Sequence, residues 1–169
     1  SQIIGAVNTI VNDDGKLTGY ITDGEGFVNN LKDHGIDIKG RKITIAGGGG
    51  AATAIQVQCA LDGAREITIF NKKDDFFERT LETAEKIRKA VPECVVNVYD
   101  IDDVVKMTEE INTSDIFANA TIVGMKPLDD QSVVKDTSAF RPGLVVADAV
   151  YNPQETKLLR EAKEAGCTC

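Results

Sequence analysis

The stretch Ile43-Thr44-Ile45-Ala46-Gly47-Gly48-Gly49-Gly50-Ala51-Ala52 decides the fold of this chain. A short run of apolar and β-branched residues, typical of a strand, passes directly into four glycines. A segment of helical period follows at once and ends at Gly63, a residue typical of a helix C-terminus. A strand, a glycine turn and a helix in immediate succession predict the first half of a parallel strand–helix–strand unit.

The glycine turn also indicates a ligand. Its spacing is G-x-G-x-x-A, with Ala52 in the place of the third glycine, where alanine is accepted. A turn without side chains lets a pyrophosphate approach the backbone, and the N-terminus of the following helix offers it free N–H groups. We therefore predict that Gly48, Gly49, Gly50 and Ala51 bind a dinucleotide. The alternative is a flexible connection between strand and helix, with no ligand.

The remaining sequence repeats the same alternation of elements. Strands are predicted at residues 42–46, 66–70, 95–99, 116–118 and 144–147, and helices at residues 51–62, 75–90, 102–111 and 155–165. The strands lack period-two alternation, as expected for strands covered on both faces. The predicted class is therefore α/β, a Rossmann-like doubly wound parallel sheet.

The N-terminal residues do not fit this rhythm. Two apolar runs, at residues 6–11 and 19–22, bracket the turn Asn12-Asp13-Asp14-Gly15 and predict a hairpin. A helix is predicted next, at residues 23–34, with Gly35 at its end. Because such a hairpin leaves unpaired edges, we expect it to complete the sheet of a preceding α/β substrate domain. Residues 1–22 would be its remnant, and residues 23–169 the dinucleotide-binding domain.

Composition excludes several classes of protein. The chain has 42% apolar and 27% charged residues and a net charge of −8, which is unfavourable for a broad nucleic-acid interface. No apolar run approaches the ~20 residues that span a bilayer, and no secretory signal is recognisable. The cysteines, Cys59, Cys94, Cys167 and Cys169, are predicted to be reduced and structural. We expect a cytoplasmic protein without a metal site and without membrane or nucleic-acid partners.

The residues after the second strand of the sheet bear on the choice of cofactor. They are Asn71-Lys72-Lys73-Asp74-Asp75. Lysines at this point can hold the 2′-phosphate of NADP, whereas a carboxylate such as Asp74 accepts from the ribose 2′-hydroxyl of NAD. The mixture predicts use of NAD, NADP or both, with the carboxylates favouring NAD. Alternatively, Asp74 or Asp75 caps the helix that follows.

Two loops and one acid need a further explanation. Asn119-Ala120-Thr121 leads to Gly124-Met125 after the fourth strand, and the residues from Asp148 to Asn152 follow the fifth. Both loops are predicted at the carboxyl edge of the sheet, where doubly wound folds bind ligands. Asp23 follows an apolar strand and begins a helix, where its role is either an N-cap or a functional one.

These motifs together resemble the shikimate dehydrogenase family. The resemblance covers nearly the whole chain, including Gly5-Ala6-Val7-Asn8-Thr9, Gly19-Tyr20-Ile21-Thr22-Asp23-Gly24 and Val150-Tyr151-Asn152-Pro153. Within the family, Asn71-Lys72-Lys73-Asp74 is closer to the quinate/shikimate dehydrogenases that accept either cofactor. Ile21 replaces the usual asparagine. The N-terminal catalytic lysine and the later G-x-G-M-L-x-x-Q segment are not found in these residues, so we expect the chain alone to be inactive.

The resemblance implies an activity and a set of site residues. The activity is the reversible NAD(P)-dependent oxidation of shikimate or quinate, which are small-molecule substrates, and a homodimer is a further expectation. Asn8 and Asp23 would bind the ring hydroxyls, and Asp23 would pair with the catalytic lysine. The nicotinamide side of the cofactor site would include Thr121, Ile122, Met125, Ala149, Val150, Tyr151 and Asn152. Alternatives are a non-catalytic dinucleotide-binding module and a methylene-tetrahydrofolate dehydrogenase.

Overall fold

A computed structural model of the chain describes residues 7–75 and 77–169. The described elements, in chain order, are β1 (Thr9–Asp13), β2 (Lys16–Tyr20), α1 (Asp23–Asp33), β3 (Lys42–Ala46), α2 (Gly50–Leu61), β4 (Glu66–Asn71), α3 (Phe77–Ala90), β5 (Val95–Asp100), α4 (Val104–Asn112), β6 (Ile116–Asn119), a 3-10 turn (Thr137–Ala139), β7 (Val145–Asp148) and α5 (Lys157–Glu164).

Five of these strands form one parallel sheet. Their order is β5-β4-β3-β6-β7, so the chain leaves β3 towards one edge and later returns to its other side. The order therefore reverses between β3 and β6, where doubly wound sheets open a crevice at the carboxyl ends of their strands. The predicted Rossmann-like class is confirmed. In register, Ala46 pairs with Phe70 on one side and with Asn119 on the other, which places the ends of these strands at one edge.

Packing on both faces of the sheet explains the absence of alternation in the strand sequences. Every residue of β3 is buried, and Ile43 and Ile45 are fully inaccessible to solvent. One apolar cluster joins these isoleucines to α1, α2 and α3. A second cluster, around Phe117 and Leu144, includes α4 and α5. Helices therefore cover both faces, as the continuous apolar strands predicted.

The hairpin is tighter than the sequence suggested. β1 pairs with β2 up to Asp13 and Lys16, so only Asp14 and Gly15 remain in the turn. Their φ angles are +47° and +90°, the left-handed pair that a two-residue type I′ turn requires. The wider turn that we predicted was wrong because Asp-Gly closes the hairpin alone. The predicted strand residue Ala6 lies outside the described residues.

Capping side chains account for the shifted starts of two helices. We predicted a start at residue 102 for α4, but Asp103 is its N-cap and accepts a hydrogen bond from the backbone N–H of Lys106. For α5 we predicted residue 155, and Thr156 is the N-cap, accepting from the N–H of Leu159. Both caps were missed because neighbouring acidic residues fit the same pattern.

Helix α1 packs against α2 with the two helices parallel. Near its start, a Cβ built on Gly24 would lie 2.4 Å from the carbonyl oxygen of Ala54. Near its end, Lys32 Nζ lies 3.1 Å from Asp62 Oδ2, beside the end of α2. Only glycine permits the first of these contacts. The N-terminal ends of α1 and α2 consequently lie at the same end of the molecule, which is the carboxyl edge of the sheet.

A partly enclosed ionic cluster lies at the opposite edge, where the strands begin. Lys42 is 7% exposed, and its Nζ lies 2.7 Å from Glu110 Oε2 and 3.1 Å from Glu66 Oε1. Glu110, also 7% exposed, accepts further hydrogen bonds from Lys106 and from the hydroxyl of Thr68. Every charge in this cluster therefore has a partner of opposite sign, as enclosed charges require.

The cluster gives unfolding a predictable pH dependence. Burial alone raises the pKa of Glu110, but hydrogen bonds from Lys106 and Lys42 outweigh it, and the net shift is downward. Burial alone lowers the pKa of Lys42, but hydrogen bonds to Glu110 and Glu66 outweigh it, and the net shift is upward. The stabilisation from Glu110 is present above its unfolded pKa of about 4.3 and is lost as pH falls. That from Lys42 is present below about 10.4 and is lost as pH rises.

We therefore expect the free-energy advantage of the parent chain over the variant K42M/E110L to be constant in the neutral range and to shrink towards pH 3. Urea titrations of both chains at matched ionic strength measure it. The double variant serves as the control, because it lacks both titrating groups. Its free energy of unfolding should therefore not show the loss in acid that is assigned to them. An advantage that did not change with pH would contradict the assignment.

Candidate functional site

The glycine turn after β3 has a fixed shape, and two of its glycines are required by the protein itself. Gly47 has φ +123°, and a Cβ there would lie 2.6 Å from the carbonyl oxygen of Ala120. A Cβ on Gly48 would lie 2.4 Å from Asn71 Nδ2 and 2.5 Å from Thr80 Oγ1. Neither position has room for the methyl group of an alanine. The backbone of the turn therefore packs closely against the end of β4, α3 and the loop after β6.

The next two glycines are different, since packing does not require them. A Cβ built on Gly49 or on Gly50 meets no described atom within 4 Å. Gly49 is the N-cap of α2 and has no side chain to accept from the N–H groups of the first helical turn. Ala51 is exposed, whereas Ala52 is fully buried. The turn thus presents an open, side-chain-free surface in front of a helix N-terminus, which fits a pyrophosphate.

The end of β4 and the residues after it border this turn. Asn71 Nδ2 donates a hydrogen bond of 2.9 Å to Thr80 Oγ1, next to Gly48. Lys72, Lys73 and Asp74 are exposed, and neither lysine makes an ion pair with any residue in the described ranges. The backbone N–H of Phe77 donates to the carbonyl of Asp74 at 3.0 Å. Two cations and a carboxylate therefore face solvent beside the glycine turn.

The loops after β6 and β7 are joined by a polar cluster. The Asp148 cluster consists of Asp148, Asn119 and Thr156. Asp148 Oδ1 accepts from Asn119 Nδ2 at 2.9 Å, and its Oδ2 accepts from the hydroxyl of Thr156 at 2.7 Å. Asn119 also accepts from the hydroxyl of Thr121 at 2.7 Å. The pKa of Asp148 is raised by burial, an effect that these hydrogen bonds oppose.

Large apolar side chains project from the same loops. Ile122 is 65% exposed, Met125 41% and Tyr151 86%, whereas Val150 is buried. Ala149 and Asn152 are exposed as well. Exposed apolar side chains grouped at a crevice indicate a surface used for binding. The structure thus brings the predicted nicotinamide-side residues to the carboxyl edge of the sheet.

Asn8 and Asp23 are brought together by the hairpin and α1. Asn8 Nδ2 donates to Asp23 Oδ1 at 2.8 Å, and the backbone N–H of Thr22 donates to Asn8 Oδ1 at 3.1 Å. Both side chains are exposed. The N-cap interpretation of Asp23 was wrong, because Thr22 is the N-cap and Asp23 is the first helical residue. Since α1 and α2 are parallel, this pair lies at the same end of the molecule as the glycine turn.

The described part of the chain lacks the features of a metal site and of a membrane-spanning helix. Within residues 7–75 and 77–169, no three His, Cys, Asp or Glu side chains are grouped so that they could hold a metal ion. None of the described helices is long and apolar enough to cross a membrane. The four cysteines are free thiols, and burial raises the pKa of Cys94 to about 11. Cys59, which is completely buried, has its pKa raised for the same reason.

Gln56 and Thr80, which support the site, were not singled out from the sequence, and Thr156 was noted only as part of the family resemblance. Gln56 is fully buried and donates to the carbonyl of Gly47 at 2.9 Å. Thr80 holds Asn71, and Thr156 holds Asp148. A polar residue on the apolar face of a predicted helix was the available signal for Gln56 and Thr80. Thr156 was recognisable as an N-cap candidate, but its contact with Asp148 depends on the tertiary fold.

A parallel sheet that reverses its order behind a glycine turn, with an open helix N-terminus, defines a dinucleotide-binding protein of the Rossmann type. No family model matches the chain. It is 51% identical over 167 residues to shikimate dehydrogenase (NADP(+)) of Listeria monocytogenes serotype 4b (strain F2365), a match that covers 99% of this chain and 57% of that protein. The resemblance to shikimate dehydrogenases stated from the motifs is therefore confirmed, since it extends over nearly the whole chain at this identity.

Solved structures agree with this placement. The crystal structure of shikimate 5-dehydrogenase from Listeria monocytogenes in complex with shikimate and NAD has a TM-score of 0.94 and 51% identity, covering 99% of this chain and 57% of that one. Quinate dehydrogenase from Corynebacterium glutamicum, in complex with NAD, has a TM-score of 0.83 and 29% identity, covering 98% and 56%. The chain spans somewhat more than half the length of the relatives that it matches.

Proposed function

We propose that this chain is the cofactor-binding part, with some of the substrate-binding residues, of an NAD(P)-dependent dehydrogenase that oxidises shikimate or quinate reversibly. The observation that carries the proposal is the position of the Asn8–Asp23 pair. It lies at the end of the molecule where the glycine turn opens, on a chain that matches shikimate dehydrogenases over nearly all its residues. A dinucleotide-binding module without catalysis has no use for an exposed polar pair that joins the hairpin to the start of α1, so we disfavour that alternative.

We propose the following cofactor-binding residues, which the open surface of the turn supports. Gly48, Gly49, Gly50 and Ala51 would bind the pyrophosphate through their backbone N–H groups. The adenosine ribose would lie against the end of β4 and the residues after it, which are Asn71, Lys72, Lys73 and Asp74. The nicotinamide half would lie along the loops after β6 and β7, next to Thr121, Ile122, Met125, Ala149, Val150, Tyr151 and Asn152. Residues 1–22 would belong to the substrate domain and residues 23–169 to the cofactor domain.

The chain's own residues orient the alcohol. A bound nicotinamide cofactor would supply the acceptor for the hydride of the carbinol carbon. Asp23 and Asn8 would hold the ring hydroxyls and so fix the carbinol relative to the cofactor site. Asp23 Oδ1 already accepts from Asn8, which anchors that carboxylate at one oxygen. Removal of the hydroxyl proton needs a base beside Asp23, a role that the family resemblance assigns to a lysine in the substrate domain.

The choice between NAD and NADP is proposed to depend on Asp74 against the two lysines. The relatives show both cofactors, since the curated Listeria monocytogenes protein is named for NADP(+) and the crystal structure from the same species contains NAD. We propose that the chain binds both, with NAD at comparable or better affinity. A homodimer and a cytoplasmic location stay predictions.

Calorimetric titration of the chain with NAD and with NADP at matched salt tests this proposal. For the variant D74A we expect NADP affinity to rise by roughly fivefold relative to NAD, because removing an exposed charge a few ångströms from a phosphate changes the energy by about 1 kcal/mol. The matched control is D75A, which removes the same charge one residue further on. If neither cofactor bound to the folded chain, the proposed function would be wrong. If D74A and D75A behaved alike, only the role of Asp74 would fall.

A further inference from the structure

We propose that Asp148 is a positioning residue for the nicotinamide half of the cofactor, acting through the loops after β6 and β7 and not by touching the ligand. The inference rests on the proposed function, because it requires that a dinucleotide occupies this edge of the sheet. Asp148 ends β7 and is only partly accessible, whereas both of its side-chain partners are buried. Asp148 is not among the residues proposed above to contact the cofactor.

One carboxylate ties three separate segments together. Its Oδ1 accepts from Asn119 Nδ2 at 2.9 Å and from the backbone N–H of Val150 at 3.0 Å. Its Oδ2 accepts from the hydroxyl of Thr156 at 2.7 Å. The three partners belong to the end of β6, the loop after β7 and the N-cap of α5. Losing the carboxylate would therefore release all three segments at once.

The connection continues into the loop after β6. Asn119 Oδ1 accepts from both the backbone N–H and the hydroxyl of Thr121, at 3.1 and 2.7 Å. Its Nδ2 also donates to the carbonyl of Val123 at 3.0 Å. A Cβ on Gly124, which has φ +102°, would lie 3.2 Å from the methyl carbon of Thr156. The loop that would face the nicotinamide is thus held by the Asp148 cluster in addition to its own backbone hydrogen bonds, such as that from the N–H of Gly124 to the carbonyl of Leu128 at 3.1 Å.

The glycine turn, in contrast, has its own supports. Gly47 is held by Gln56 and by the ladder bond from its N–H to the carbonyl of Phe70, at 2.7 Å. Loss of Asp148 should therefore disturb binding of the nicotinamide half while the pyrophosphate and adenosine contacts persist. A residue with only a general structural role would weaken both halves together.

The geometry also separates the charge of Asp148 from its shape. In D148N, the new carbonyl can still accept from Asn119 and Val150, and the new NH₂ can donate to Thr156 if that hydroxyl reverses its hydrogen. In D148A, the hydroxyl of Thr156 and the N–H of Val150 lose their acceptor. We therefore expect D148N to behave like the parent chain and D148A to differ from it.

The experiment compares NAD with ADP-ribose, which lacks only the nicotinamide, by calorimetry on the parent chain and on D148A, D148N and T156V. In the parent chain NAD should bind more tightly. In D148A that preference should fall about tenfold, which is the cost of losing one hydrogen bond between the displaced loops and the nicotinamide. The affinity for ADP-ribose should change less than about twofold. T156V should lose part of the preference, and D148N should keep it. The control D103A removes a carboxylate cap of α4 and should leave the preference unchanged.

The outcomes separate this inference from the proposed function. Equal weakening of NAD and ADP-ribose in D148A would overturn the positioning role, as would a parent chain that binds both ligands equally well. Should D148A fail to fold, T156V decides, because loss of preference there supports the role and an unchanged preference overturns it. Failure of the folded parent chain to bind either ligand would overturn the proposed function and this inference with it.

Discussion

The variant G49A is expected to bind NAD about 100-fold more weakly than the parent chain, a loss of about 2.7 kcal/mol, while remaining folded. A Cβ at Gly49 meets no described atom within 4 Å, so the protein itself has room for it. The added methyl group would occupy the space in which a pyrophosphate approaches the backbone at the start of α2. The substitution therefore acts on the ligand far more than on the fold.

A measured affinity and a thermal unfolding curve together check this expectation. Alanine is a poorer N-cap than glycine, and the difference should lower the Tm by no more than about 4 °C in a chain of this size. The matched control is G26A, an exposed position in α1 where a Cβ also meets nothing within 4 Å. It should leave NAD affinity unchanged and raise the free energy of unfolding slightly, since alanine favours a helix more than glycine does. Unchanged affinity in G49A would mean that the glycine turn does not bind the pyrophosphate.

The variant K42M is expected to lower the free energy of unfolding by about 3–5 kcal/mol, because it leaves Glu110 and Glu66 without the cation between them. Lys42 Nζ contacts both carboxylates and the hydroxyl of Thr113. Glu110 retains Lys106, but Glu66 keeps no other ion pair within the described residues. The cluster lies at the amino edge of the sheet, so NAD affinity of the folded fraction should not change.

Urea unfolding of K42M, with NAD titration of the folded protein, measures both parts of this prediction. The control is E85A, which removes an exposed pair with Arg88 on α3 and should cost less than about 1 kcal/mol. The double variant K42M/E110L replaces the central ion pair by apolar groups and should recover part of the lost stability. A K42M chain as stable as the parent would show that the cluster does not stabilise the fold.

The amino-acid sequence alone carried most of the architecture. Apolar runs without alternation predicted strands covered on both faces, and the glycine turn at residues 47–50 predicted the strand–turn–helix unit that the structure contains. These features depend on neighbours along the chain, so the local pattern is sufficient to find them. Helix starts were less certain, because several side chains near 102–103 and 155–156 satisfy the same capping pattern.

Contacts between distant residues were decided only by the tertiary structure. Nothing in the spacing shows that Asn8 meets Asp23, that Thr80 supports Asn71, or that Lys42 meets Glu110 across 68 positions. Such pairs form because the sheet order and the packing of α1 on α2 bring separate segments to one edge. The sequence therefore determined the class of the fold and the candidate residues. The partners of these side chains were decided by the tertiary structure, because they lie far apart in the chain and meet only through packing.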